Sequence, residues 1–216
     1  MNARKLALPA LVLALAGCSS RGQIDVSSGV GILSVRSGCP RIGIPAGTGD
    51  ITLFDPATSR DANAIDLVAN ITNLQSTCDD ASGAAEINTQ LTFDVQARRT
   101  RTDAARDVTL PYFVTVVQGG SSVVAKRLGQ VTLHFDAGQA RAQAQGHGFA
   151  VVSREAATLP ADVRAQLTRK RKAGEEDAAI DPLSNPQIRS AVARATFEAL
   201  VGFQLTRDQL DYNVTR

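Results

Sequence analysis

Aromatic side chains are scarce in this sequence. Its 216 residues include no Trp, two Tyr and seven Phe, so large rings cannot supply most of a hydrophobic core. The core must come from Val, Ile, Leu and Ala, and branched residues favour sheet where they cluster. About 200 residues are enough for one domain with appendages.

A marked excess of either charge is also missing. The chain has 23 Lys and Arg against 21 Asp and Glu. Removal of residues 1–17 would take away Arg4 and Lys5 and leave 21 residues of each sign. A nucleic-acid-binding protein needs a basic face to displace counterions from phosphates. The balance therefore argues against nucleic acid as a partner.

Motifs of common hydrolases and metal sites do not occur. The sequence has no Gly-x-Ser-x-Gly, His-Glu-x-x-His or Ser-x-x-Lys. His134 and His147 have no Cys or carboxylate at ligand spacing, which is more typical of surface histidines than of a metal site. Asp79-Asp80 is a weak calcium candidate, because paired acids in a loop are usually solvated. We expect no metal, no cofactor and no enzymatic activity.

The N-terminal residues have the three parts of an export signal. Arg4 and Lys5 precede the apolar run 6–15, which is too short to span a bilayer because a spanning helix needs about 20 residues. The run ends in Leu15-Ala16-Gly17-Cys18. This order resembles the lipobox of bacterial lipoproteins. A buried N-terminal helix of a cytosolic protein fits less well, because the basic part, the apolar part and the cysteine occur in the right order.

The lipobox resemblance implies a location. Residues 1–17 would be a signal peptide cleaved before Cys18, whose thiol would carry a diacylglyceryl group. The protein would then be held by lipid at the periplasmic side of the cell envelope. Ser19, in place of the Asp that retains many enteric lipoproteins in the inner membrane, favours the outer membrane over the inner one.

Two cysteines remain after Cys18. Cys39 and Cys78 form an even pair in an oxidising compartment, which predicts a disulfide. Closing a loop of this length would stabilise the fold by roughly 4 kcal/mol in the chain-entropy model. A metal or redox pair is the weaker alternative, because neither residue lies in a Cys-x-x-Cys or near a His.

Residues 18–30 are small and polar, which predicts a flexible tether behind the lipid. From 31 to 153, short apolar runs with a period of two alternate with turn residues, and 87–97 is the clearest strand. Eight or nine such strands predict an antiparallel β-sandwich, similar to immunoglobulin-like domains in size and rhythm. We expect Gly119-Gly120 to join one hairpin and 136–138 to join a second pair of strands. In 140–148 one face has only Ala and Gly, which indicates either close packing or an exposed edge.

Residues 154–216 predict a helical C-terminal segment that packs on the sandwich. Asn185-Pro186 begins a helix, Gly202 would end it, and Thr206 with Gln209 would cap a last short helix. The helix 186–201 would be apolar over more than half its circumference. We expect one face to pack on the sandwich and Phe197, Leu200 and Val201 to bind a partner in the envelope. Full burial of these three residues is the alternative.

Two arginine-rich runs can be interpreted either as membrane contacts or as ordinary surface segments. Residues 98–101 and 169–172 could contact anionic head groups of a membrane. A solvated turn and a helix terminus are the more common setting for such runs.

These patterns together predict a membrane-anchored envelope lipoprotein that acts as a non-enzymatic binding or scaffolding module. The strand-and-helix pattern resembles envelope lipoproteins of Gram-negative bacteria that have no known activity. The alternative is a periplasmic carrier of an apolar ligand held between sheet and helices. A carrier needs an apolar cavity, whereas a scaffold has a filled core and an exposed patch.

Overall fold

A computed structural model describes residues 37–81, 83–169 and 180–215. All of them belong to one compact unit. The strands of this part are β1 (Arg41–Gly43), β2 (Asp50–Phe54), β3 (Ile65–Asp79), β4 (Glu86–Arg99), β5 (Arg106–Gln118), β6 (Ser122–Phe135), β7 (Arg141–Ser153) and β8 (Phe197–Phe203). Its α-helices are α1 (Arg154–Ala157), α2 (Ala161–Thr168), α3 (Pro186–Arg194) and α4 (Arg207–Thr215).

The strands form two four-stranded sheets. The first sheet has the order β1-β8-β5-β6 and the second has the order β2-β3-β4-β7. Neighbouring strands are antiparallel except for β1 and β8, which run parallel. The prediction of an antiparallel-rich β-sandwich with a short helical C-terminal part is confirmed.

Alternating residues of the long strands fill the space between the sheets. In β4, Leu91, Phe93 and Val95 are buried, whereas Gln90 and Gln96 are exposed. This follows from the geometry of a strand, whose side chains point alternately to its two faces. The largest fully buried side chains come from both sheets: Phe93, Phe135, Phe203, Ile51, Leu67, Ile87, Leu91, Leu110 and Leu133.

The small face of β7 packs closely against larger side chains. A Cβ atom on Gly146 would lie 2.2 Å from Cζ of Phe93, and one on Gly148 would lie 2.5 Å from Cγ2 of Val114. The Tyr112 hydroxyl donates a hydrogen bond to the backbone carbonyl of His147 at 2.5 Å. Close packing therefore explains the small residues, although β7 is also the edge strand of its sheet.

The predicted hairpin at Gly119-Gly120 is confirmed, because both glycines have positive φ and β5 pairs with β6. The second predicted pair is wrong. β6 and β7 do not pair, because β6 pairs with β5 and β7 pairs with β4. The turn at 136–138 instead carries the chain from one sheet to the other. A turn fixes a change of direction but not the sheet in which the next strand finds its partner.

The C-terminal segment departs most from the prediction. Asn185 caps α3 through its side chain, which accepts a hydrogen bond from the backbone N–H of Gln187, but the helix ends at Arg194 rather than near Gly202. Residues 197–203 form β8, which lies between β1 and β5. Segment 154–216 therefore contributes a strand to the sandwich and is not wholly helical. The predicted capping box of the last helix is present: the N–H of Thr206 donates to Gln209 Oε1 at 2.9 Å, and the N–H of Gln209 donates to Thr206 Oγ1 at 3.3 Å.

Candidate functional site

The predicted lipid anchor lies outside the described residues, because the description begins at residue 37. The predicted signal peptide 1–17 and tether 18–30 lie outside the described residues in the same way. Among the described residues, no helix is both long enough and apolar enough to cross a membrane.

The predicted disulfide is present. Cys39 and Cys78 are bonded, with their Cα atoms 6.1 Å apart and a sequence separation of 39 residues. Cys39 precedes β1 at the edge of the first sheet, and Cys78 lies near the end of β3 in the second sheet. The bond therefore ties the start of the described chain to the opposite sheet.

The predicted partner site at Phe197, Leu200 and Val201 is not an exposed helix face. Phe197 and Val201 point into the sandwich and are 6% and 0% exposed. Leu200 lies on the other face of β8, where it is half-buried beside Gly43. The period of two in β8 separates residues that a helix would have placed together.

An exposed apolar surface occurs instead on β6, the edge strand of the first sheet. Residues 122–130, which we call the edge segment, are exposed throughout except for Gly129. Val123, Val124 and Leu128 are 63%, 50% and 69% exposed. Since neighbouring side chains of a strand point to opposite faces, the edge segment presents apolar groups on both of its faces.

Two cations stand between these apolar residues. Lys126 lies over the ring of Phe113 at 5.0 Å, and Arg127 lies over the ring of Phe149 at 4.3 Å. The Phe149 ring belongs to β7, and its residue is 48% exposed. The edge segment is thus basic and apolar, and the exposed aromatic side chain of Phe149 borders it.

The arginines of run 98–101 separate into three different environments. Arg99 is 3% exposed and donates to three backbone carbonyls, of Gln139, Ala104 and Asp136, at 2.7–2.8 Å. Arg101 forms ion pairs with Asp55 and Asp66. Arg98 lies on the outer face of the second sheet, where it is directly opposite Arg141 of β7. The run is therefore partly structural, and only Arg98 remains as a candidate contact for an anion.

A shallow groove of about 910 Å³ lies over this outer face. Its floor comes from β3, β4 and β7, and its polar side chains include Asn70, Gln96, Arg98, Arg141 and Gln143. It is open to solvent and its lining mixes polar and apolar groups, unlike the enclosed apolar cavity that a carrier of an apolar ligand requires.

A smaller space of about 330 Å³ lies between the second sheet and the helices α1 and α2. Ile87, Leu159 and Leu167 provide its apolar walls. Arg154 borders it, donating to the carboxylate of Asp80 at 2.5 Å and to the carbonyl of Ala81 at 2.7 Å. Asp80, considered above as part of a weak calcium candidate, is therefore engaged by an arginine.

His134 is a surface residue near the end of β6. Its Nδ1 lies 2.5 Å from the carboxylate of Asp107, and its Nε2 lies 3.2 Å from that of Asp136. Hydrogen bonds to these two carboxylates raise the pKa of His134 above its ordinary value, Asp107 having the larger effect. His147 is also exposed, on β7. No group of three or more His, Cys, Asp or Glu side chains suitable for a metal ion occurs in the described part of the chain.

Sequence reasoning missed the edge segment, the groove and the pairing of Arg98 with Arg141. The sequence indicates strands at both 122–130 and 140–152, but which strand lies at an edge depends on the order of strands in the sheets. Comparison of the chain with known proteins finds no matching family model, no matching curated protein and no matching solved structure.

Proposed function

We propose that this protein is an envelope lipoprotein, anchored through Cys18, that acts as a non-enzymatic binding or scaffolding module. The observation that carries the binding role is the edge segment of β6. An open edge strand offers unpaired N–H and C=O groups to another extended chain, and soluble proteins usually protect such edges. Here the edge has Val123, Val124 and Leu128 exposed beside it.

The partner we propose for this edge is an extended segment of another envelope protein, with alternating apolar and acidic residues. Such a segment would add a strand to the first sheet, gaining main-chain hydrogen bonds from the edge and specificity from alternate side chains. Lys126 and Arg127 would face its acidic residues. A second copy of this chain is a poorer partner, because full antiparallel pairing of two edge segments, centred on residue 126, would bring Lys126 of one copy against Lys126 of the other.

The sequence supports the anchoring part of the proposal. A basic start, a short apolar run and Leu15-Ala16-Gly17-Cys18 occur in the order of a lipoprotein signal. The polar residues 18–30 would then leave the sandwich close to the membrane surface, within about 20 Å on average for a flexible chain. The outer membrane is favoured by Ser19.

Photocrosslinking in intact cells tests the binding proposal. A photoreactive residue replaces Leu128 in the edge segment or, as the control, Gln187, which is exposed on α3. We expect an adduct with another protein only from position 128, and the crosslinked peptide, sequenced by mass spectrometry, should be rich in Asp or Glu.

Charge reversal gives the decisive comparison. K126E together with R127E should abolish the adduct, whereas R189E, which reverses an exposed cation on α3, should leave it unchanged. An adduct that survives reversal of both edge cations, or one that joins two copies of this chain, would refute the proposed partner chemistry.

The carrier function is a second candidate, and the space of about 330 Å³ between sheet and helices favours it. Its volume is at the lower end of the range for small-molecule pockets. A fluorescent fatty-acid probe tests this function. A carrier should bind the probe in wild type and lose it in Leu167→Gln, which places an amide in the apolar wall, while Leu128→Gln should have no effect.

A further inference from the structure

The outer face of the second sheet carries a regular array of polar side chains, which we call the polar grid. One row across β4 and β7 is Arg98 with Arg141, and the next row, across β3, β4 and β7, is Asn70, Gln96 and Gln143. All five residues are exposed. Strands lie about 4.8 Å apart, and residues two positions along a strand are about 7 Å apart. The grid therefore covers about 10 by 7 Å, close to the size of one hexose ring with a substituent.

The two arginines of the grid face each other without an acid between them. Arg98 and Arg141 are direct cross-strand neighbours, and like charges at such positions destabilise a sheet. Within the described residues, no hydrogen bond or ion pair engages either guanidinium. The grid thus keeps two positive charges close together, at a cost that a bound dianion would remove.

The carboxylates on either side of the grid already have other partners. On one side, Asp66 accepts hydrogen bonds from Arg106 at 3.0 and 3.2 Å. On the other side, Asp94 accepts one from Asn73 at 3.0 Å. Neither acid is therefore committed to neutralising Arg98 or Arg141.

The second row supplies hydrogen-bonding groups of both kinds. The carboxamides of Asn70, Gln96 and Gln143 each carry two donor hydrogens and an acceptor oxygen. No hydrogen bond to these three carboxamides occurs within the part of the chain that the structure describes. Groups that donate and accept side by side suit the hydroxyl groups of a sugar, whereas a bare anion would use only the donors.

We propose that the polar grid binds a phosphorylated saccharide, with the phosphate between Arg98 and Arg141 and the sugar hydroxyls on the carboxamide row. A phosphate monoester carries close to two negative charges at neutral pH, which matches the two guanidiniums. Arginine also forms paired hydrogen bonds to phosphate oxygens through its planar fork. The groove of about 910 Å³ leaves room for more than one sugar unit. This site is separate from the edge segment and does not depend on the partner proposed there.

Titration of the isotope-labelled protein with glucose 1-phosphate tests the site by nuclear magnetic resonance. We expect shifts in the backbone amides around Asn70, Gln96 and Arg141, and weaker binding at higher salt. R98Q and R141Q should each weaken binding about tenfold, since each removes a charge-assisted hydrogen-bonding group. R189Q, which removes an exposed cation on α3, should not change the affinity. Unchanged amide spectra away from the substitutions would show that the variants remain folded.

Further ligands and variants separate the two halves of the proposal. Q96L and Q143L should weaken binding of glucose 1-phosphate but not of inorganic phosphate, and unphosphorylated glucose should bind far more weakly than its phosphate. Vesicles of phosphatidylcholine with and without lipid A, a phosphorylated disaccharide lipid, show whether the grid also takes the sugar phosphate on a membrane. If Q96L bound glucose 1-phosphate and inorganic phosphate each with the same affinity as the wild type, the saccharide part of the proposal would be overturned. Shifts that persist in R98Q and R141Q, or the absence of any shift at the grid, would overturn the site.

Discussion

Single residues of the same type have very different roles in this protein, and Arg99 is the clearest example. Its guanidinium is buried, donates to three backbone carbonyls and lies 5.0 Å from the centre of the Phe135 ring. These carbonyls belong to the loops that follow β4 and β6. Arg99 therefore fixes two chain reversals at one end of the sandwich.

Replacement of Arg99 by Met should lower the free energy of unfolding by about 3 kcal/mol, because buried carbonyls would lose charged donors. Replacement of the exposed neighbour Arg98 by Met should change it by less than about 0.5 kcal/mol. Urea denaturation of both variants measures the difference. Equal effects of the two substitutions would show that the carbonyl contacts contribute little.

His134 gives a pH-dependent prediction. Its hydrogen bonds to Asp107 and Asp136 raise its pKa above the ordinary value of 6.5, so the folded state favours the protonated form. The stabilisation from this site is fully present below pH 6.5 and is lost as the pH rises through the raised pKa. Asp107→Asn should bring the pKa of His134 down towards 6.5, because it removes the largest cause of the increase.

Proton nuclear magnetic resonance of the imidazole measures this titration, with His134→Gln used to assign the signal. Asp162→Asn, on the exposed surface of α2, is the matched control and should leave the titration unchanged. If Asp107→Asn did not lower the pKa of His134, the carboxylate contact would not hold in solution.

Among the elements, β7 needs glycine at the two positions where larger side chains come close, Phe93 at Gly146 and Val114 at Gly148. Gly146→Ala should destabilise the protein by about 1–3 kcal/mol, because the new methyl group would overlap the Phe93 ring. Gln145→Ala on the exposed face should have little effect. Thermal denaturation compares the two variants. Adding Phe93→Leu to Gly146→Ala should cost less than the sum of the two single changes, since the smaller side chain relieves the overlap and the new methyl group fills part of the space left by the ring.

Local sequence patterns predicted several of these elements correctly. Strong alternation, as in 87–97, and turn glycines, as at 119–120, depend on local geometry, so they gave correct strands and a correct hairpin. Asn185, Thr206 and Gln209 likewise form the caps expected of them. The disulfide between Cys39 and Cys78 was predicted from two premises alone, an oxidising compartment and an even number of cysteines after Cys18.

Strand β8 shows where such patterns fail. The apolar residues from Ile188 to Ala199 continue a helical spacing, yet Phe197, Ala199, Val201 and Phe203 also alternate. A short apolar run fits both patterns, and the choice depends on whether a sheet offers a place for it. That place lies between β1 and β5, more than 75 residues away in sequence. For the same reason, the exposed apolar surface lies on the edge segment and not at Phe197, Leu200 and Val201, where the sequence predicted it.

On the scale of the whole molecule, the anchoring proposal makes one direct prediction. Cys18→Ala should release the protein from the membrane, because it removes the thiol that would carry the diacylglyceryl group. Metabolic labelling with a fatty-acid analogue should tag the wild type only. Cys39→Ser with Cys78→Ser is the control: it removes two cysteines, should keep the label and should lower stability by roughly 4 kcal/mol. Label retained on Cys18→Ala would refute the anchor.

The position of β8 also determines when the fold can close as the chain leaves a ribosome or a membrane pore. β1, the first described strand along the chain, finds its only neighbour within the described sheets in β8, the last described strand. Closing so large a loop is slow, because contacts distant in sequence form only after much chain entropy is lost. The first sheet therefore stays incomplete until nearly the whole polypeptide has been delivered. The second sheet does not have to wait in this way, because its four strands all lie between residues 50 and 153. The C-terminal segment therefore controls completion of the first sheet alone.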